Sequence, residues 1–325
     1  MKYRHWLTLA IATTTITAVD PPVSSASIPL NYYAYNQSPE LIDSLKKQEQ
    51  NISCYGADRD ELAHYQIWIN RGMALQQQQR YRESLACLDR ALAIAPDAEQ
   101  AWYRRGIALS YLQQYSPAVF AYNQAIKINP EEHTAWYNLG NAYKHLGEYN
   151  KAIAAYDRAI VLKPDFSAVH YHKGKVLEKT GNYERAIIAY QRVTYLKPDY
   201  DRAWYSQGNL LVKLGRYESA VKIYQTILKE QSDDHKAWYN LGNINLQLKQ
   251  YQQAISAYDR AIALKPDYDL AWNNRGAALE ALKQTKEALK SYSQALQVNP
   301  RYEKALNNRR RLLLLVSNKT SDLYN

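Results

Sequence analysis

The chain holds only two phenylalanines, two methionines and two cysteines among its 325 residues. Two cysteines, Cys54 and Cys87, are too few for a disulfide scaffold, and neither stands in a CxxC or near a histidine at metal-ligand spacing. In an oxidising compartment they could join to each other; in a reducing one they would be small thiols, and the sequence leaves both open. No apolar run is long enough to cross a bilayer comfortably. No GxxxxGK[ST], GxGxxG, HExxH or GxSxG occurs. The seven histidines are scattered, and the close pair His170 and His172 is two residues apart, so on a helix the two rings face different ways. These absences leave no catalytic, cofactor-binding or metal-ligating residue to assign, and the expectation is a protein that is not an enzyme and needs no cofactor.

Hydrophobic residues make up 46% and charged residues 22%, the balance of a folded soluble chain. Lysine and arginine exceed the acids 41 to 31, for a net charge of +10. The excess is spread along the chain except at Arg309-Arg310-Arg311, and no dense basic stripe argues for nucleic acid. It reads as a solvated basic surface, with acidic protein tails or anionic lipid as the sharper alternatives.

Lys2 and Arg4 precede an apolar stretch from Trp6 to Val19, followed by Asp20-Pro21-Pro22 and the small residues Ser24-Ser25-Ala26. That is the order of a secretory signal peptide, so residues 1–26 are expected to be a leader and the protein exported to the periplasm or another extracytoplasmic space. A cytoplasmic chain with a plain tail is the alternative. Residues 27–64 read as a linker followed by short helices, the first opened by Ser38-Pro39-Glu40.

What the chain has in abundance is tyrosine, 30 residues of it, and tyrosine follows a clock. Prolines fall at Pro96, Pro130, Pro164 and Pro198, then at Pro266 and Pro300, with Ser232 in the vacant place of a 34-residue period. Glycines keep the same period at Gly72, Gly106, Gly140, Gly174, Gly208, Gly242 and Gly276. Four residues before each stands Trp68, Trp102, Trp136, His170, Trp204, Trp238 or Trp272. Trp136, Leu139, Gly140 and Tyr143 fall at i, i+3, i+4 and i+7, one face of a helix. Ala152, Tyr156 and Ala159 do the same on a second helix, with Gly147 at the turn between them. One helix pair cannot bury both faces, so the units must stack.

These residues fit W-x2-L-G-x2-Y, then A-x3-F, then P, with tyrosine for phenylalanine, and in this the chain resembles the tetratricopeptide repeat (TPR) family. The resemblance covers residues 65–302 as seven units starting at Tyr65, Glu99, His133, Ser167, Asp201, His235 and Asp269. It implies an all-α fold, an α-α superhelix (a TPR solenoid of antiparallel helix pairs). His170 in place of tryptophan and Ser232 in place of proline are expected to give a weaker joint, or a local change of twist, near the middle. Residues 303–325 read as a capping helix and tail whose run Leu312-Leu313-Leu314-Leu315-Val316 either packs on the seventh unit or, as the alternative, lets the 303–316 helix make a homo-oligomer.

The resemblance further implies a concave groove lined by the first helix of each pair, and hence a protein or extended peptide segment as partner. Residues just after the tryptophan and glycine positions would face it: Tyr103, Arg104, Tyr137, Asn138, Asn141, Tyr171, His172, Tyr205, Asn209, Tyr239, Asn240, Asn243 and Asn274. Asparagine offers a donor and an acceptor to peptide amides, and tyrosine adds apolar area with a polar tip. The lysine and arginine positions of a chaperone-tail clamp are not matched, since Tyr205, Leu270 and Asn274 occupy them.

Overall fold

The structure, a computed structural model, describes residues 64–321. The segments expected to be a leader, a linker and short helices, with Cys54, and the last residues of the expected tail lie outside the described residues. Fifteen helices follow one another among the described residues, with no strand. The first helices of the seven pairs are Tyr65–Gln77, Glu99–Tyr111, His133–His145, Ser167–Lys179, Asp201–Lys213, His235–Gln247 and Asp269–Ala281. Their partners are Tyr81–Ile94, Tyr115–Ile128, Tyr149–Leu162, Tyr183–Leu196, Tyr217–Glu230, Tyr251–Leu264 and Thr285–Val298, and Glu303–Ser321 follows them. The fold class is all-α, a TPR solenoid of helix pairs. It divides into two units, one up to His172 and one from Lys173.

Three-residue connections fold each first helix back on its second, which makes the pair antiparallel. The turn requires a left-handed residue. Gly147, Gly181 and Gly215 supply it with φ of 77°, 78° and 71°, while Gln79, Gln113, Lys249 and Lys283 adopt φ of 59–61° at the same place. A side chain is uncomfortable there, so repeats 1, 2, 6 and 7 hold their turns against a local cost.

The helical glycines work differently. A Cβ on Gly242 would stand 2.5 Å from Tyr258 Cε1, and one on Gly140 would stand 2.5 Å from Tyr156 Cε1. The tyrosine ring of the second helix thus packs directly against the backbone of the first, and Tyr122, Tyr156, Tyr190, Tyr224, Tyr258 and Tyr292 are all buried. Alanines fill the remaining crossings: Ala152, Ala159, Ala254 and Ala261 have no exposed surface. The tyrosine excess is therefore a packing solution copied from pair to pair.

The tryptophans close the loop between repeats. Trp102, Trp136 and Trp272 donate Nε1–H to the carbonyls of Pro96, Pro130 and Pro266 at 2.9 Å, and Trp204 donates to that of Pro198 at 2.8 Å. The expected weak joints keep this bond. His170 donates Nε2–H to the Pro164 carbonyl at 3.0 Å, and Trp238 donates to the Ser232 carbonyl at 2.9 Å. Both departures survive because the acceptor is a backbone oxygen, and an imidazole N–H reaches it as an indole does.

At the end of the second unit Glu303–Ser321 packs chiefly on Thr285–Val298. Ala305 and Leu312 are buried, Asn308 donates to Asn273 Oδ1 at 3.0 Å, and Arg311 pairs with Glu280. The apolar run as a whole is not covered: Leu313, Leu314 and Leu315 remain 46%, 58% and 49% exposed.

Candidate binding groove

The unit from Lys173 holds a cavity of about 350 Å³ built by the first helices of repeats 5, 6 and 7 and the final helix. Asn209, Asn240, Asn243 and Asn274, four of the residues expected to face a groove, line it together with Lys304. Its apolar wall consists of Val212, Ile244, Leu246 and Ala277, with Gln247 and the edge of Tyr224. A volume near the lower end of the ligand-site range suits one or two side chains of a longer segment.

The asparagine ladder is wired from beneath. Tyr224 Oη donates to Asn209 Oδ1 at 2.7 Å, and Tyr258 Oη donates to Asn243 Oδ1 at 2.8 Å. Asn274 of the next repeat donates Nδ2–H to the same Asn243 Oδ1 at 2.8 Å and to Tyr239 Oη at 3.2 Å. Burial is the main cause that pushes both phenols, Tyr224 and Tyr258, well above the ordinary tyrosine range, so they keep the proton they donate. With the carbonyl oxygens engaged, the amide N–H groups of Asn209 and Asn243, both lining the cavity, donate to no side chain among the described residues. Lys304, exposed at its rim, adds a cationic donor. The polar edge is therefore weighted toward donors.

Tyr205 and Tyr239 stand beside this cavity with their hydroxyls engaged. Tyr205 Oη donates to Asp234, the carboxylate that also caps His235–Gln247 by accepting from the Lys236 and Ala237 amides. Burial, followed by that carboxylate, pushes the Tyr205 phenol up. The Tyr239 ring lies 4.9 Å from that of Tyr268 and 6.1 Å from that of Tyr258.

The unit up to His172 holds the other expected residues. Asn138 donates to Tyr103 Oη at 3.0 Å, and Tyr156 Oη donates to Asn141 Oδ1 at 2.8 Å. Tyr137 is fully buried, its ring 5.1 Å from Phe166, 5.6 Å from His172 and 6.1 Å from Tyr156, so it builds the wall from within. His172 is buried with Nδ1 3.4 Å from Lys144 Nζ, and the half-buried Tyr171 ring lies 5.6 Å from it. Arg104 is half-buried: burial draws its pKa down, and Nε has no hydrogen-bond partner among the described residues. Cys87 is buried in the first-repeat core and is not a free thiol, whereas Cys54 lies outside the described residues.

Val212, Ile244, Leu246, Gln247, Ala277 and Lys304 did not figure among the expected residues. Helical spacing held the signal: Asn240, Asn243 and Gln247 fall at i, i+3 and i+7, and Val212, Leu246 and Ala277 each follow a groove asparagine by three. Among the described residues no group of three or more His, Cys, Asp or Glu could hold a metal ion, and no helix is long and apolar enough to cross a membrane.

A comparison with curated proteins finds no match. Among solved structures, YrrB, described as a TPR protein with an unusual peptide-binding site, is 22% identical with a TM-score of 0.51, over 59% of this chain and 99% of that one. The C-terminal part of a TPR repeat-containing protein from Cytophaga hutchinsonii is 15% identical with a TM-score of 0.64, over 74% and 98%. The Naa15/Naa10 complex bound to HypK-THB gives a match 16% identical with a TM-score of 0.57, over 77% of this chain and 39% of that one. At these identities the likeness is one of fold. Family models described as tetratricopeptide repeat match residues 64–131, 133–166, 167–200, 205–269 and 270–302. The chain belongs to the tetratricopeptide repeat family.

Proposed function

We propose that this protein is a binding scaffold without catalytic chemistry, and that its second unit clasps an extended segment of a partner protein in the Asn209–Asn274 cavity. The observation that carries the reading is the fixed orientation of the asparagines. Asn209 and Asn243 accept from buried tyrosine hydroxyls through Oδ1, which leaves their N–H groups free to donate, and they line the cavity with Val212, Ile244, Leu246 and Ala277. An extended peptide offers backbone carbonyls at regular intervals to such donors and a side chain to such a wall. Because the amides are already ordered, little side-chain entropy is lost on binding. The family's character as interaction scaffolds supports the reading, as does the peptide-binding site ascribed to YrrB.

The test is selection from a displayed peptide library on the whole chain, with counter-selection on an Asn209→Ala, Asn240→Ala, Lys304→Glu variant. Peptides enriched on the natural chain and lost from the variant are expected. A library that enriches nothing, or enriches the same sequences on both, refutes the assignment.

A further inference from the structure

We propose that the final helix, Glu303–Ser321, docks the array on an anionic lipid surface, with Arg309 and Arg310 meeting headgroup phosphates and the neighbouring leucines entering the acyl boundary.

The sequence puts an obstacle where an eighth pair would form. Arg310 stands one period after Gly276, and even a Cβ on that glycine would lie 2.6 Å from the Tyr292 ring. An arginine at this place forbids a second helix from packing as in the other repeats. The residues that would have met that helix are left open. Leu306 and Leu313, in the places of Trp272 and Leu279, are 45% and 46% exposed, and Leu314 is 58% exposed. Leu312 is buried and marks the side that faces the array. At about 100° per residue, Leu306, Leu313 and Leu314 fall on the side away from Leu312, with Arg310 among them, Arg309 at their edge and the exposed Glu303 on the same side two turns before Arg310.

The placement of Arg310 chooses the occupant. Against a second copy of this helix, or in an apolar protein groove, its guanidinium would be desolvated in the middle of the contact at a high cost. In an antiparallel pair that sets Leu306 against Leu313, moreover, Arg309 of each copy meets Arg310 of the other. At a lipid surface the same side chain lays its aliphatic stem along the leucines and reaches the phosphates with its charged end. Arg309 and Arg310 are both exposed, and the chain's net charge of +10 favours a negative surface. The helix runs 19 residues against 13 in the other first helices. It is anchored by Arg311 on Glu280, so docking needs no rearrangement of the array.

Co-sedimentation of the whole chain with phosphatidylcholine vesicles, with and without phosphatidylglycerol, tests this. The chain is expected to pellet with the anionic vesicles, and less so as salt rises. Leu306→Ser, Leu313→Ser, Leu314→Ser together, and separately Arg309→Glu with Arg310→Glu, should each weaken binding by more than about tenfold. All five side chains are exposed, so circular dichroism should show both variants folded. A chain that stays in the supernatant, or that pellets equally after either set of substitutions, overturns the proposal. So does a concentration-dependent dimer that the serine variant abolishes while vesicles bind nothing.

Discussion

Asn243 Oδ1 accepts two hydrogen bonds at 2.8 Å, one from the Tyr258 hydroxyl of its own repeat and one from Asn274 Nδ2 of the next. A single amide oxygen thus ties the packing within a repeat to the stacking between repeats and leaves the Asn243 N–H groups free to donate. Removing one donor by Tyr258→Phe should cost about 1 kcal/mol, measured by urea unfolding. Because the site loses its orientation as well, the variant should bind selected peptides more weakly. A stable variant with unaltered peptide affinity would show that the hydroxyl does not set the amide.

The ring of Tyr258 lies on the backbone of Gly242, and the pair should behave as one packing element. Gly242→Ala places a methyl 2.5 Å from the ring and should destabilise by about 2 kcal/mol. Combined with Tyr258→Leu it should cost clearly less than the sum of the two single changes. Additive costs would show that the two residues do not share the space assigned to them.

The turns between helices separate backbone strain from packing. Lys249 and Gln113 adopt φ of 59°, while Gly147 serves the equivalent turn at 77° with nothing within 4 Å of an added Cβ. Lys249→Gly should therefore raise stability by about 0.5 kcal/mol, and Gly147→Ala should lower it by about 1 kcal/mol, both read from thermal unfolding. Changes of the opposite sign would rule out the left-handed residue as the source of the cost.

Buried phenols make the array sensitive to alkali. Burial pushes Tyr122, Tyr224, Tyr258 and Tyr292 above the ordinary value of 10.0, and the Tyr268 phenol up to about 12. For an acid whose folded pKa is raised, the contribution to stability is fully present below the unfolded value and is lost as pH rises through the folded one. The urea midpoint should hold from neutrality to about pH 9 and fall steeply above pH 10. A midpoint that stays level to pH 12 would mean that these hydroxyls are not protonated donors in the fold.

Much of the fold is legible in the sequence because one period carries it: the tryptophan, glycine and tyrosine positions define both helices and their contact. The groove is less so. That Asn209, Asn240, Asn243 and Asn274 share one cavity follows from helical spacing. Which end of each amide is engaged depends on a tyrosine 15 residues later and an asparagine 31 residues later, and no local pattern states that. Tyr137 shows the other limit. Its place beside Trp136 suggests a groove residue, but Phe166, in the loop after the second helix, helps cover the ring. At the equivalent loop place Tyr268 stands 4.9 Å from Tyr239. At His170 and Ser232 the loop hydrogen bond is kept because its acceptor is main chain, which side-chain identity does not reveal.

The Asn209–Asn274 cavity is proposed as the peptide site. The direct measurement is calorimetric titration of a selected peptide into the whole chain and into Ala277→Leu, which fills the cavity wall without removing a hydrogen bond, together with Asn240→Ala. If the peptide sits in this cavity, affinity should fall at least about tenfold in each, roughly 1.4 kcal/mol, with the fold intact by circular dichroism. Unchanged affinity in both folded variants would contradict it.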